Sequence, residues 1–313
     1  MALTARENYL EAVKFGKPDY MPRGNEDIFH QVRLHDEMRM ANWTDRWGIG
    51  WVCDMPGTVP FPKHNPIADI LRHEEYVFPE TDGLFVNIED ELIKMKSARA
   101  EGKLIQGGYA YFLFERVWAL TGLENFLISL VETPDAASAL LHRLAVFARD
   151  VFARYIDMGV DAVSFSEDLG TQRALLFSPA HFDKFFLPEY EFIFKDVIDA
   201  GIHINFHSCG CIESVADRFA GLPITVLNPV QARANDLREI KRRTMGRTAL
   251  CGAVDTHLLM TGTPVEVRAE TARVIEILKP GGGYICAPDQ GFPNFPAENI
   301  IMLYKTAEEL GKY

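Results

Sequence analysis

The chain has 313 residues, 48% of them hydrophobic and 24% charged, the make-up of a globular protein able to bury a large core. A formal net charge of −12 argues against nucleic acid or an anionic membrane as a general partner, and no apolar run reaches the length that crosses a bilayer. The five cysteines, Cys53, Cys209, Cys211, Cys251 and Cys286, are odd in number and lack the spacing of a disulfide scaffold. With an amino terminus that reads as an amphipathic helix rather than a signal peptide, they point to a reduced, cytoplasmic setting.

In chain order, Thr4 caps a first helix reaching about Val13, with Glu7 completing a capping box. An irregular region rich in aromatic residues, Pro and Gly follows from Pro18 to about Pro66. Within it, Asp45 to Gly57 carries Trp47, Trp51 and Cys53 in strand-like alternation. These rings read either as a packing plug over one end of the fold or as a wall for a flat substrate. Pro66 to Arg72 and Thr81 to Arg99 read as helices, and Leu104 to Gly108 as a strand. The segment from Tyr109 to Gly122 reads as an aromatic loop and turn, in which Tyr109 is either core or pocket lining.

Helices follow from Leu123 to about Val131 and, behind the Thr133-Pro134 start, up to Gly159. Strands near 160–166, 203–206, 225–227, 249–251 and 284–286 then alternate with helices near 179–200, 212–219, 236–243, 264–278 and 297–310. This alternation implies parallel βα units, and the length suits one α/β barrel. We therefore expect an α/β fold, a (β/α)8 TIM barrel with an irregular amino-terminal extension. It forms a single domain over 1–313, of which 1–66 are the helix and aromatic segment and 67–313 the βα units.

In such a barrel, chemistry sits at the carboxyl ends of the strands. The stretch Ile202 to Cys211, IHINFHSCGC, places His207 and Cys209 two residues apart at a strand end, so both side chains point the same way. Cys286, in GGYICAPDQG, follows another short apolar run and is the expected third ligand of an open zinc site. Of the adjacent acids Glu167 and Asp168, only one can enter the pocket; Glu167 is the expected catalytic carboxylate and fourth ligand. Asn228 and Gln231, in LNPVQ, offer amides to a polar substrate, and Asp255 and His257 are candidates for orienting it. Trp47 and Tyr109 complete the expected substrate contacts.

The segments SEDLGTQ (166–172), FHSCGCIES (206–214), LNPVQ (227–231), CGAVDTHLLMTGTP (251–264) and GGGYICAPDQG (281–291) resemble the uroporphyrinogen decarboxylase superfamily. They are most similar to its zinc-dependent, corrinoid-linked methyltransferase branch. RENYLEAVKFGKPDYMP and DRWGIGW extend the resemblance over essentially the whole chain. The resemblance implies a barrel of the uroporphyrinogen decarboxylase type and metal ligands at His207, Cys209 and Cys286, with Glu167 as a fourth. Decarboxylases of the superfamily carry an arginine-rich amino-terminal motif. Here Met21 to Asp27 holds one arginine and two acids, which disfavours a porphyrinogen substrate.

The implied activity is zinc-dependent transfer of a methyl group between a small methylated substrate and the cobalt of a separate corrinoid protein. An aromatic methyl ether is the first expectation, O-demethylation being the reaction. A methyl-corrinoid:thiol transfer and a metal-free decarboxylase-like lyase are the alternatives. The expected partners are a corrinoid protein and a small methylated substrate; pairing into a homodimer stays open.

Overall fold

The computed structural model describes residues 2–32, 39–55, 59–291 and 294–313. Helix α1 (Ala5–Val13) starts at the capping box foreseen in the sequence: Glu7 N donates to Thr4 Oγ1, and the Glu7 carboxylate accepts from Thr4 N. After β1 (Phe29–Val32), the aromatic segment folds as a small antiparallel sheet of β2 (Trp43–Thr44), β3 (Gly50–Val52) and β4 (Phe61–His64). Residues 56 and 57 of that segment lie outside the described residues. Buried Asp45 ties the sheet together, accepting from Trp47 N, Ile49 N and Trp51 Nε1, with Arg116 Nη1 3.6 Å away.

Two short 3-10 turns, Ile70–Glu75 and Thr81–Leu84, stand where helices were expected, ahead of α2 (Ile88–Ala100). A left-handed Asn87, with φ of 56°, separates the second turn from α2 and prevents one continuous helix. Strand β5 (Leu104–Tyr109) leads to α3 (Phe114–Thr121), a helix in the segment read as loop. No local side chain caps α3. Its cap comes from Glu167, more than fifty residues away, so the start signal is not local in sequence.

The remaining elements are α4 (Leu123–Glu132), α5 (Pro134–Met158), β6 (Ala162–Ser166), α6 (Pro179–His181), α7 (Leu187–Asp199), β7 (His203–His207) and α8 (Ala216–Gly221). They continue with β8 (Val226–Asn228), α9 (Leu237–Thr244), β9 (Ala249–Val254), α10 (Thr256–Thr261), α11 (Pro264–Leu278), β10 (Tyr284–Pro288) and α12 (Ala297–Leu310). A π turn, Phe182–Phe186, joins α6 to α7.

Strands β1, β5, β6, β7, β8, β9 and β10 form one parallel sheet in that order, so neighbours in the chain are neighbours in space. Cys286 N donates to Pro22 O and Gly24 N to Cys286 O, so the stretch leading into β1 also pairs with β10 and joins the two edges. The fold is TIM-barrel-like, with seven strands in the parallel sheet among the described residues instead of the expected eight.

Side chains on each strand alternate between the interior and the helix layer. The interior at the strands' amino ends is apolar: Leu104, Val226, Ala249 and Ile285 pack with Tyr9 and Val13 of α1, which plugs that end. Two residues further along, the interior turns polar. Asn205 Nδ2 donates to Gln106 Oε1, and Gln106 Nε2 to Gln31 Oε1 at 3.1 Å. Ile204, Phe206, Val163 and Phe165 face the large outer core with α5 and α7. Among the described residues no helix is long and apolar enough to cross a membrane.

Candidate metal centre

At the carboxyl ends of β6 and β7, Asp168, His207 and Cys209 each bring a ligand atom within 4.8 Å of the others. His207 Nε2 lies 3.3 Å from Cys209 Sγ and 3.5 Å from Asp168 Oδ1. The strand alternation explains the grouping: 203, 205, 207 and 209 follow one side of β7, and 164, 166 and 168 one side of β6. Ser166 and His207 are register partners, so they sit side by side on adjacent strands. Ser208 points away, as its position requires, and accepts from Leu169 N.

Hydrogen bonds fix the three groups. Asn228 Oδ1 lies 3.0 Å from His207 Nδ1; an amide oxygen there takes the ring N–H and leaves the Nε2 lone pair facing Cys209 and Asp168. Cys209 N donates to Asp168 Oδ1 at 3.0 Å. Gln231 Oε1 accepts from Gly210 N at 2.6 Å and from Gln172 Nε2, holding the loop behind Cys209. Burial pushes the Asp168 carboxyl up, but bonds from His207 and the Cys209 amide reverse this and leave it below the usual carboxylate range. Burial pulls His207 down, and Asp168 and Asn228 bring it above its ordinary value. Burial, then Asp168, pushes the Cys209 thiol up, so a nearby cation is what favours its thiolate.

Glu167 does not join this group. It is fully buried on the opposite side of β6, where Oε1 accepts from Leu113 N at 2.6 Å, Phe114 N at 3.0 Å and Tyr190 Oη at 3.2 Å. Its Oε2 accepts from Glu115 N at 3.1 Å. It is the helix cap of α3, and burial still pushes it up to about 7 against these bonds. The carboxylate that lies beside His207 and Cys209 is that of Asp168, one residue on and therefore on the other face.

Cys286 also stays out. Ile285 faces the inner cluster with Tyr9 and Val226, so Cys286 faces outward, fully buried in the core that includes Leu303 and Ala307 of α12. The strand ends at Pro288, and two residues beyond it Gln290 Nε2 lies 2.5 Å from Cys209 Sγ.

Of the expected substrate contacts, Asn228 and Gln231 lie beside the cluster, as described. Asp255 instead caps α10 by accepting from His257 N and pairs with Arg233 at 2.6 Å, while the His257 side chain is exposed. Trp47 is 1% exposed and packs on Phe147 at 4.7 Å and under Arg116 at 4.6 Å. Tyr109 lies on the outward side of β5 against Phe112 and Phe147. Both are core, not pocket wall. Sequence reasoning missed Glu115, in the segment read as loop. Its buried carboxyl accepts from Ser166 Oγ at 3.2 Å and is pushed up to about 8 by burial, then by Asp168 and Glu167.

An imidazole nitrogen, a thiol sulfur and a carboxylate oxygen converging at a barrel's catalytic end fit a divalent cation such as zinc, with room for a fourth donor. The comparisons agree on the fold. Residues 117–310 match uroporphyrinogen decarboxylase (URO-D), and the chain belongs to that family. Among solved structures it is similar to a methyltransferase from Methanosarcina mazei, with a TM-score of 0.74 and 18% identity over 98% of this chain and 99% of that one. A B12-independent methionine synthase from Shewanella sp. W3-18-1, in complex with selenomethionine, is more distant: TM-score 0.49 and 12% identity, over 69% of this chain and 64% of that one. No curated protein sequence matches the chain.

Proposed function

We propose that this chain is a zinc-dependent methyltransferase that moves a methyl group between a small methylated substrate and the cobalt of a separate corrinoid protein. The observation that carries the reading is the convergence of Asp168, His207 and Cys209 within 4.8 Å at the carboxyl ends of β6 and β7. The likeness in fold to the Methanosarcina mazei methyltransferase supports it. His207, Cys209 and Asp168 would hold the zinc, which when bound acts as a Lewis acid toward the substrate's heteroatom.

The chain's own groups supply the rest. Asn228 orients His207, and Gln231 holds the loop that carries Cys209. Glu115, hydrogen-bonded by Ser166 beside His207, holds a proton that a departing heteroatom can accept, or takes one from an arriving thiol. The aromatic methyl ether loses the support of Trp47 and Tyr109, which lie in the core. The reading therefore rests on a small methyl ether demethylated at oxygen, with transfer to a thiol as the second direction.

The test is to mix the zinc-loaded protein with cobalt(I) corrinoid and a panel of methyl ethers and methyl thioethers, following the cobalt absorption. Conversion to the methylated corrinoid by wild type and not by Cys209→Ser supports the proposal. No conversion, in either direction and with every substrate, overturns it.

A further inference from the structure

The side chain that hydrogen-bonds Cys209 from across the barrel mouth is neither an acid nor a second thiol. It is Gln290, 2.5 Å away through Nε2. The backbone beneath it is pinned. Asp289 N donates to Val254 O at 2.8 Å, Asp289 Oδ1 accepts from Thr256 N at 3.0 Å, and Gln290 O accepts from Thr256 Oγ1 at 3.2 Å. Asp289 is itself buried, so the loop is fixed to β9 and α10 and presents the half-buried Gln290 side chain to Cys209. A half-turn of the carboxamide exchanges its NH2 and carbonyl, so the position now donating toward sulfur can equally present an oxygen to a cation.

We infer that Gln290 is the exchangeable fourth donor of the centre, which takes its divalent cation through a single thiolate. The inference rests on the metal-centre reading above. Charge and chemistry agree with it. The Cys209 thiolate and Asp168 carboxylate already balance a dication, so the remaining position suits a neutral ligand. An amide carbonyl is a weak one that a substrate heteroatom can displace. The alternation of β10 turns Cys286 into the outer core, away from the cluster. A set with one sulfur, one nitrogen and two oxygens also accepts harder divalent ions more readily than a two-thiolate set does.

Cobalt(II) bound to the full chain is the probe, because the intensity of its sulfur-to-metal charge-transfer absorption follows the number of bound thiolates. Equilibrium dialysis measures occupancy in parallel. The expected results are a one-thiolate band in wild type, its loss in Cys209→Ser, no change in Cys286→Ser, and a doubling in Gln290→Cys. Gln290→Ala, which removes only the amide, shifts the cobalt d–d bands at unchanged charge-transfer intensity; it serves if Gln290→Cys does not fold. A band halved in Cys286→Ser, or d–d bands unmoved in Gln290→Ala, overturns the inference while leaving the metal centre in place. Failure of wild type to bind cobalt overturns the metal-centre reading itself, and the inference with it.

Discussion

Glu167 and Asp168 are consecutive in the chain and do opposite work: the first caps α3 through three backbone amides, and the second lies 3.5 Å from His207 Nε2. A change at one should therefore be separable from a change at the other. Glu167→Ala strands three buried N–H groups at the start of α3 and should cost on the order of 3 kcal/mol or more. Asp168→Ala should cost little stability and much of the bound metal. Denaturant unfolding and elemental analysis of the two variants check this; metal loss confined to the Glu167 variant would reverse the assignment.

Asn228 acts through His207, since its Oδ1 lies 3.0 Å from Nδ1. Asn228→Ala frees the imidazole to turn and should weaken metal affinity by about 10–100-fold. Competition against a chelator reads this directly. An unchanged affinity would mean that the amide does not set the ring's orientation.

Trp47 packs between Phe147 and Arg116, with 1% of its surface exposed. Trp47→Ala should cost about 3–5 kcal/mol, and Trp47→Phe much less. In the Phe variant the substrate KM should stay that of wild type. A KM that rises while stability holds would return Trp47 to the pocket.

Lys241 is buried in α9, donates Nζ to Gly282 O and lies over the Phe15 ring, and among the described residues no carboxylate pairs with it. Burial pulls its pKa down to about 8. Below that pH both folded and unfolded states carry the proton, and stability does not depend on this group. Between about 8 and the ordinary lysine value of about 10.4 the unfolded chain binds more protons, so stability should rise with pH. The rise should disappear in Lys241→Met, measured as the difference between wild-type and variant unfolding free energies from pH 7 to 10.5. Parallel curves would show that Lys241 keeps its ordinary titration.

The contrast between the legible and the illegible parts of this chain has a physical origin. Helices that begin on a local signal could be read directly: Thr4 with Glu7, and Thr133 with Pro134, mark α1 and α5. The His207–Cys209 pair was legible for a similar reason, because two residues on one strand share a side whatever surrounds them. Helix α3 was not, since Glu167 caps it from another strand. The same blindness hid where Glu167 and Cys286 lie, neither of which joins the cluster of Asp168, His207 and Cys209. Choosing between Glu167 and Asp168, or between Cys286 and Gln290, requires knowing which residue of each strand faces inward. That phase is set by neighbours such as Ile285 against Tyr9, contacts formed only when the sheet curls.

The central claim is that Asp168, His207 and Cys209 form a metal centre, and the most direct measurement is the metal content of the purified protein. Prepared without chelator and supplied with zinc, the wild-type chain should carry about one zinc, as a single site of this kind requires. Both His207→Ala and Cys209→Ser should lose it. A folded wild-type protein that holds no metal under these conditions, or variants that keep it, would contradict the account.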